Sequence, residues 1–131
     1  MIRAVFSRKA GELSLELSGH SGQAPAGQDL VCAAVSSLCC GLADYVNQKT
    51  SGEASAGEKK RQDGRAPELR LRPGYAFIRA FPEGESAQEL TGAFKLAERF
   101  MALLAENYPE NVRVEKYLTA PKGGKEHSDD N

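Results

Sequence analysis

Three cysteines fall between positions 32 and 40, at Cys32, Cys39 and Cys40, and one of the two histidines, His20, lies shortly before them. A thiol and an imidazole can together perform nucleophilic catalysis, the imidazole taking the proton and the sulfur attacking a carbonyl. A thiol of ordinary acidity is only a few per cent ionised at neutral pH, so it needs a base or a positive field. Asp29 is a good N-cap for a helix starting at about residue 30. Cys32 then falls in the first helical turn, near amide groups that lack intrahelical partners. The positive end of the helix dipole favours a thiolate there. His20 ends a strand on the other side of a loop containing Gly22, Pro25 and Gly27. Such a loop can bring the two side chains together and close over a ligand.

The other thiols read differently. Cys39 and Cys40 lie deeper in an apolar helical segment and are expected to pack as small hydrophobes. A zinc site from His20, Cys32 and Cys39 would have no C-x-x-C pair and no fourth ligand at a familiar spacing, so no metal and no cofactor is expected. A redox pair between Cys32 and Cys39 or Cys40 would span 7 or 8 residues of helix. That is about 10–12 Å of rise, too far to bridge. An odd, clustered set of cysteines is a poor disulfide framework and reads as reduced thiols in a cytoplasmic protein.

The elements that must position these residues follow from periodicity. Ile2, Ala4 and Phe6 share one face of a first strand. Leu13, Leu15 and Leu17 alternate with Ser14, Glu16 and Ser18 in a second, with Arg8 to Gly11 as the turn. Val31, Val35, Leu38, Leu42 and Val46 recur at helical spacing over about 30–49, where Gly41 would allow close packing. Residues 50–66 are polar, Gly-rich and aperiodic, a long exposed loop. Leu69 and Leu71 alternate with charged neighbours, Pro73-Gly74 signals a turn, and Tyr75 to Ile78 resume extended structure. Ser86 and Glu89 form an S-x-x-E capping box. Leu90, Ala93, Phe94, Ala97, Met101 and Leu104 mark the stripe of a second helix, ended by Asn107 and Pro109. Val112, Val114 and Leu118 give a last strand, and 119–131 is a polar tail. The order ββαββαβ predicts an α+β domain over 1–118, a mostly antiparallel sheet with two helices packed on it.

The chain has 131 residues, with 17 Lys+Arg against 18 Asp+Glu. This balance lacks the basic footprint of a nucleic-acid binder or a polybasic membrane-surface protein. Neither a signal segment nor a stretch of about 18 apolar residues is apparent, so the expected location is the cytoplasm.

The local string is more specific than the pairing of one Cys with one His. Gly19-His20-Ser21-Gly22, then Gly27-Gln28-Asp29-Leu30-Val31-Cys32-Ala33-Ala34-Val35-Ser36, closely resembles the signature of the ribosomal-processing cysteine protease family, Prp. That resemblance implies a bacterial endopeptidase that removes the N-terminal extension of large-subunit ribosomal protein L-twenty-seven, supporting ribosome assembly, and that forms a homodimer. It implies Cys32 as nucleophile and His20 as general base. Gly19, Asp29 and Ser36 match further signature positions that support the site, and Ser21, Gly22, Gln23 and Gly27 belong to the loop expected to grip substrate. Gln23 departs from the family, which often carries an aromatic residue there. The backbone amides at the helix start, that of Cys32 among them, are the expected oxyanion donors. The competing reading is a non-catalytic module of the same fold that binds the ribosomal protein without cutting it.

Overall fold

The computed structural model describes residues 1–20, 29–51 and 66–118. The elements are β1 (Ile2–Lys9), β2 (Glu12–Ser18), α1 (Leu30–Ser51), β3 (Glu68–Arg72), β4 (Tyr75–Ala80), α2 (Ala87–Asn107) and β5 (Val112–Leu118), with a 3-10 turn at Gly84–Ser86 leading into α2. The order is the expected ββαββαβ. Ser21, Gly22, Gln23 and Gly27, most of the 50–66 loop and the 119–131 tail lie outside the described residues.

Alternation becomes a two-faced sheet. Leu13, Leu15 and Leu17 of β2 are buried on the helix side. Glu16, between them, turns to the other face and accepts a hydrogen bond from the Tyr75 hydroxyl at 2.8 Å. That bond is the main cause that raises the Tyr75 pKa above the usual phenol value. Leu15 pairs with Phe6 of β1 on one side and Ile78 of β4 on the other. All three are almost wholly buried, and burying each side chain stabilises the fold by roughly 1.5–3 kcal/mol. Strand β1 runs on through Lys9, which pairs with Glu12. The first turn is therefore only Ala10-Gly11, tighter than the expected Arg8 to Gly11.

The strand order is β3-β4-β2-β1-β5. Three neighbouring pairs are antiparallel and one, β1 with β5, is parallel. Helix α1 carries the chain from β2 to β3, and α2 carries it from β4 to β5. Helix α1 packs against β4, α2 against β5, and the helices touch each other. The edge strands carry Glu68, Arg70 and Arg72 on one side and Arg113, Glu115 and Lys116 on the other, charges that discourage edge-to-edge pairing.

By length and composition α1 would be apolar enough to cross a membrane, a property its separate apolar positions do not suggest. Val31, Val35, Cys39, Leu42, Ala43 and Val46 are buried in the core. Its exposed side is largely small, with Ala33, Ser36, Ser37, Cys40 and Gly41. Ala33 and Cys40 raise the mean hydropathy of that side, and small side chains expose little apolar area. Gly41 does not serve close packing, because a Cβ built there would meet nothing within 4 Å. It lies on the side of the helix turned away from the sheet.

Helix α2 buries Leu90, Phe94, Ala97 and Met101 and ends where the Tyr108 amide donates to the Leu104 carbonyl at 2.7 Å. The capping box does not form. The 3-10 turn draws Ser86 into helical backbone (φ −87°, ψ −2°), and its side chain makes no cap bond. An N-cap needs a non-helical backbone. The Ser86 hydroxyl instead donates to the Glu83 carbonyl at 3.3 Å, and Glu89 pairs with Lys49 of α1 at 2.7 Å.

Candidate active site

The start of α1 is built as its sequence suggests. Oδ1 of Asp29 accepts a hydrogen bond from the Cys32 amide at 2.9 Å, and the Asp29 carbonyl accepts one from Ala33 at 3.0 Å. Asp29 is thus the N-cap and Cys32 the third helical residue, with a half-buried side chain. One expectation changes. The Cys32 amide already donates to the cap, so it is not an uncommitted oxyanion donor. A cap at this spacing selects the third amide of the helix, and here that amide belongs to Cys32 itself.

His20 reaches the same region from the sheet. The β2–β4 ladder pairs Ser18 with Tyr75 and continues one step further, the Gly19 amide donating to the Gly74 carbonyl at 2.9 Å. Gly19 has φ +95°, and a Cβ there would lie 2.2 Å from the Met1 carbonyl oxygen. Only glycine fits that conformation and that space. The exposed His20 side chain then lies beside the β3–β4 turn, its Nε2 2.9 Å from where a Gly74 Cβ would stand.

Both side chains line one cleft of about 430 Å³. Ser36, one turn beyond Cys32, lines it as well, as do the apolar side chains of Leu17 and Val35 and the Pro73-Gly74 turn. Exposed Arg72 stands at this cleft with its guanidinium 4.4 Å from the centre of the Tyr75 ring, a cation–π distance. Among the described residues no group of three or more His, Cys, Asp or Glu side chains could hold a metal ion.

The thiols separate, though not as expected. Cys39 is buried, and burial, with a smaller effect of Cys40, pushes its pKa up to about 12. It remains a neutral thiol that packs in the core. Cys40 is exposed and lines the cleft, so its reading as a core residue is wrong. Successive helical residues point about 100° apart, and the face that buries Cys39 turns Cys40 outward. Helical spacing alone carried that signal. Gly74 and Arg72 are further cleft residues that no local pattern marks, because only the strand pairing brings Gly74 and the end of β3 to the side of the cleft where His20 lies.

A structure with a thiol in the first turn of a helix and an imidazole in the same open cleft has the parts of a cysteine hydrolase. Comparison with known proteins agrees. A family model described as cysteine protease Prp matches residues 1–113. A crystal structure from Streptococcus mutans is 29% identical, with a TM-score of 0.63 over 91% of this chain and 96% of that one. The ribosomal processing protease Prp from Staphylococcus aureus, solved with a covalently linked product peptide, is 21% identical, with a TM-score of 0.62 over 88% of this chain and 99% of that one. The same protease with a substrate peptide gives 20% identity and a TM-score of 0.61 over the same shares. At these two identities the likeness is one of fold. No curated protein matches the chain. The match along residues 1–113, with the capped Cys32 and His20 inside it, makes this chain a member of the cysteine protease Prp family.

Proposed function

We propose that this protein is a cysteine endopeptidase that removes the N-terminal extension of large-subunit ribosomal protein L-twenty-seven, with His20 and Cys32 as its dyad. The observation that carries the reading is that both side chains, from different elements, line one cleft. The similar Staphylococcus aureus protease is a ribosomal processing enzyme and was captured with peptide in covalent linkage, which supports a peptide substrate.

The chemistry follows from the parts. His20 takes the Cys32 proton, and the sulfur attacks the scissile carbonyl carbon. The carbon–sulfur bond forms as the carbonyl electrons move to oxygen. The positive end of α1 stabilises that oxyanion. Collapse of the intermediate expels the amine, which takes the proton from His20, and leaves a thioester. Water, deprotonated by His20, hydrolyses the thioester and restores the thiol. Asp29 holds the helix start on which the sulfur is mounted, and Ser36 borders the cleft one turn on. The enzyme acts in the cytoplasm as a homodimer, as the family resemblance implies.

The test is mass spectrometry of the extended ribosomal protein incubated with wild type and with Cys32→Ala. A cut at one defined bond with wild type alone supports the reading. Equal cutting by Cys32→Ala, or none by wild type, overturns it.

A further inference from the structure

The β3–β4 turn touches the imidazole that the proposed reaction uses. Gly74 has φ +76°, the left-handed conformation that the third position of a Pro-Gly turn takes. A Cβ built on it would lie 2.9 Å from Nε2 of His20 and 3.3 Å from Cε1. The first distance is shorter than real carbon contacts allow. The main chains are meanwhile tied together, because the Gly19 amide donates to the Gly74 carbonyl at 2.9 Å. The backbone beside His20 therefore cannot retreat without breaking that bond. The exposed imidazole, at the end of a side chain with two rotatable bonds, can. A methyl group on Gly74 would leave the turn in place and move the ring.

We propose that Gly74 is a positioning residue: its bare backbone is the shelf against which the His20 ring is set, on the side of the cleft it shares with Cys32. The inference rests on the reading of His20 and Cys32 as the dyad. A displacement of about 1 Å at a reacting group can cost up to about a hundredfold in rate. A small change in the turn therefore acts on the chemistry and not on the fold.

Gly84 supplies the control. It has φ +65°, and a Cβ there meets nothing within 4 Å. Gly84→Ala thus carries comparable backbone strain with no ring contact. The experiment compares wild type, Gly74→Ala, Gly74→Asn and Gly84→Ala. Asn tolerates the left-handed conformation but still carries a Cβ. Cleavage of the extended ribosomal protein is measured as kcat and KM, and the His20 Cε1–H resonance is followed by NMR in the ligand-free protein. The expected result is a fall in kcat of about tenfold to a hundredfold for both Gly74 variants. KM changes little, the His20 resonance shifts, and Gly84→Ala matches wild type. If wild type cleaves and Gly74→Ala matches Gly84→Ala in kcat with the His20 resonance unmoved, the positioning role is overturned and the dyad stands. If wild type does not cleave, the dyad is overturned and the positioning role falls with it.

Discussion

The amide of Cys32 is bound by the carboxylate of Asp29, the residue three places before it, at 2.9 Å. The side chain that starts the helix thereby also fixes the main chain of the proposed nucleophile. Substitution at 29 separates the two tasks a carboxylate there could have. Asp29→Ala should cost about 1 kcal/mol in urea denaturation, and Asp29→Asn, also a good cap, much less. Cleavage should follow the same order, Asn retaining most of it. Equal, severe loss in both variants would show that the negative charge, and not the cap, is what activity needs.

Removing either member of the proposed dyad should abolish cleavage while sparing the fold. Cys32 is half-buried and His20 exposed, so neither truncation opens a large cavity. Cys32→Ala and His20→Ala should each lower kcat/KM by at least about a thousandfold. Their urea midpoints should stay close to that of wild type.

Alkylation should sort the three thiols. Iodoacetamide at neutral pH should modify Cys32 and Cys40 in the folded protein. Cys39 should react only after unfolding in urea, because it is buried and its pKa is pushed up to about 12. Peptide mapping reads this directly. Modification of Cys39 at the rate of Cys40 would contradict its place in the core.

The same thiol gives a pH dependence. In the unfolded chain Cys39 titrates near its ordinary value of 9.0, whereas in the fold its pKa is about 12. Between these values the unfolded chain loses a proton that the folded chain keeps. Stability therefore falls as pH rises. The contribution is whole below about pH 9 and lost on the way to about pH 12. Urea midpoints of wild type should decline more steeply above pH 9 than those of Cys39→Ala, with the two curves converging. Parallel curves would show that Cys39 does not cause the decline.

The unformed capping box predicts a small effect. Ser86→Ala removes no cap bond and should change stability by less than about 0.5 kcal/mol, against about 1 kcal/mol for a working cap. Thermal denaturation of the variant decides between them.

How far the sequence could be read depended on whether a signal was local. Leu13, Leu15 and Leu17 announce a half-buried strand because a sheet face buries every second residue. Asp29 announces a helix start because a cap acts within four residues. The parallel pairing of β5 with β1 has no such mark, since Val112 and Val114 would alternate in the same way beside any neighbour. Ser86 and Glu89 carry the letters of a cap, yet the 3-10 turn at Gly84–Ser86 already holds Ser86 in helical backbone. Cys40 was legible from helical geometry once Cys39 was assigned to the core. The contact of Gly74 with His20 was not, because it depends on the register of β2 against β4, and alternation alone leaves that register open.

The sheet also dictates when a nascent chain can become an enzyme. Strand β1 lies between β2 and β5, so a strand made early waits for β5, about a hundred residues further on, before its second edge is covered. Until residue 118 has left the exit tunnel, Ile2 to Arg8 present unpaired amides and carbonyls along that edge. A chain stalled before β5 would be open there to pairing with another polypeptide. Assembly of this sheet in a synthesising cell is therefore gated by β5, however early His20 and Cys32 emerge.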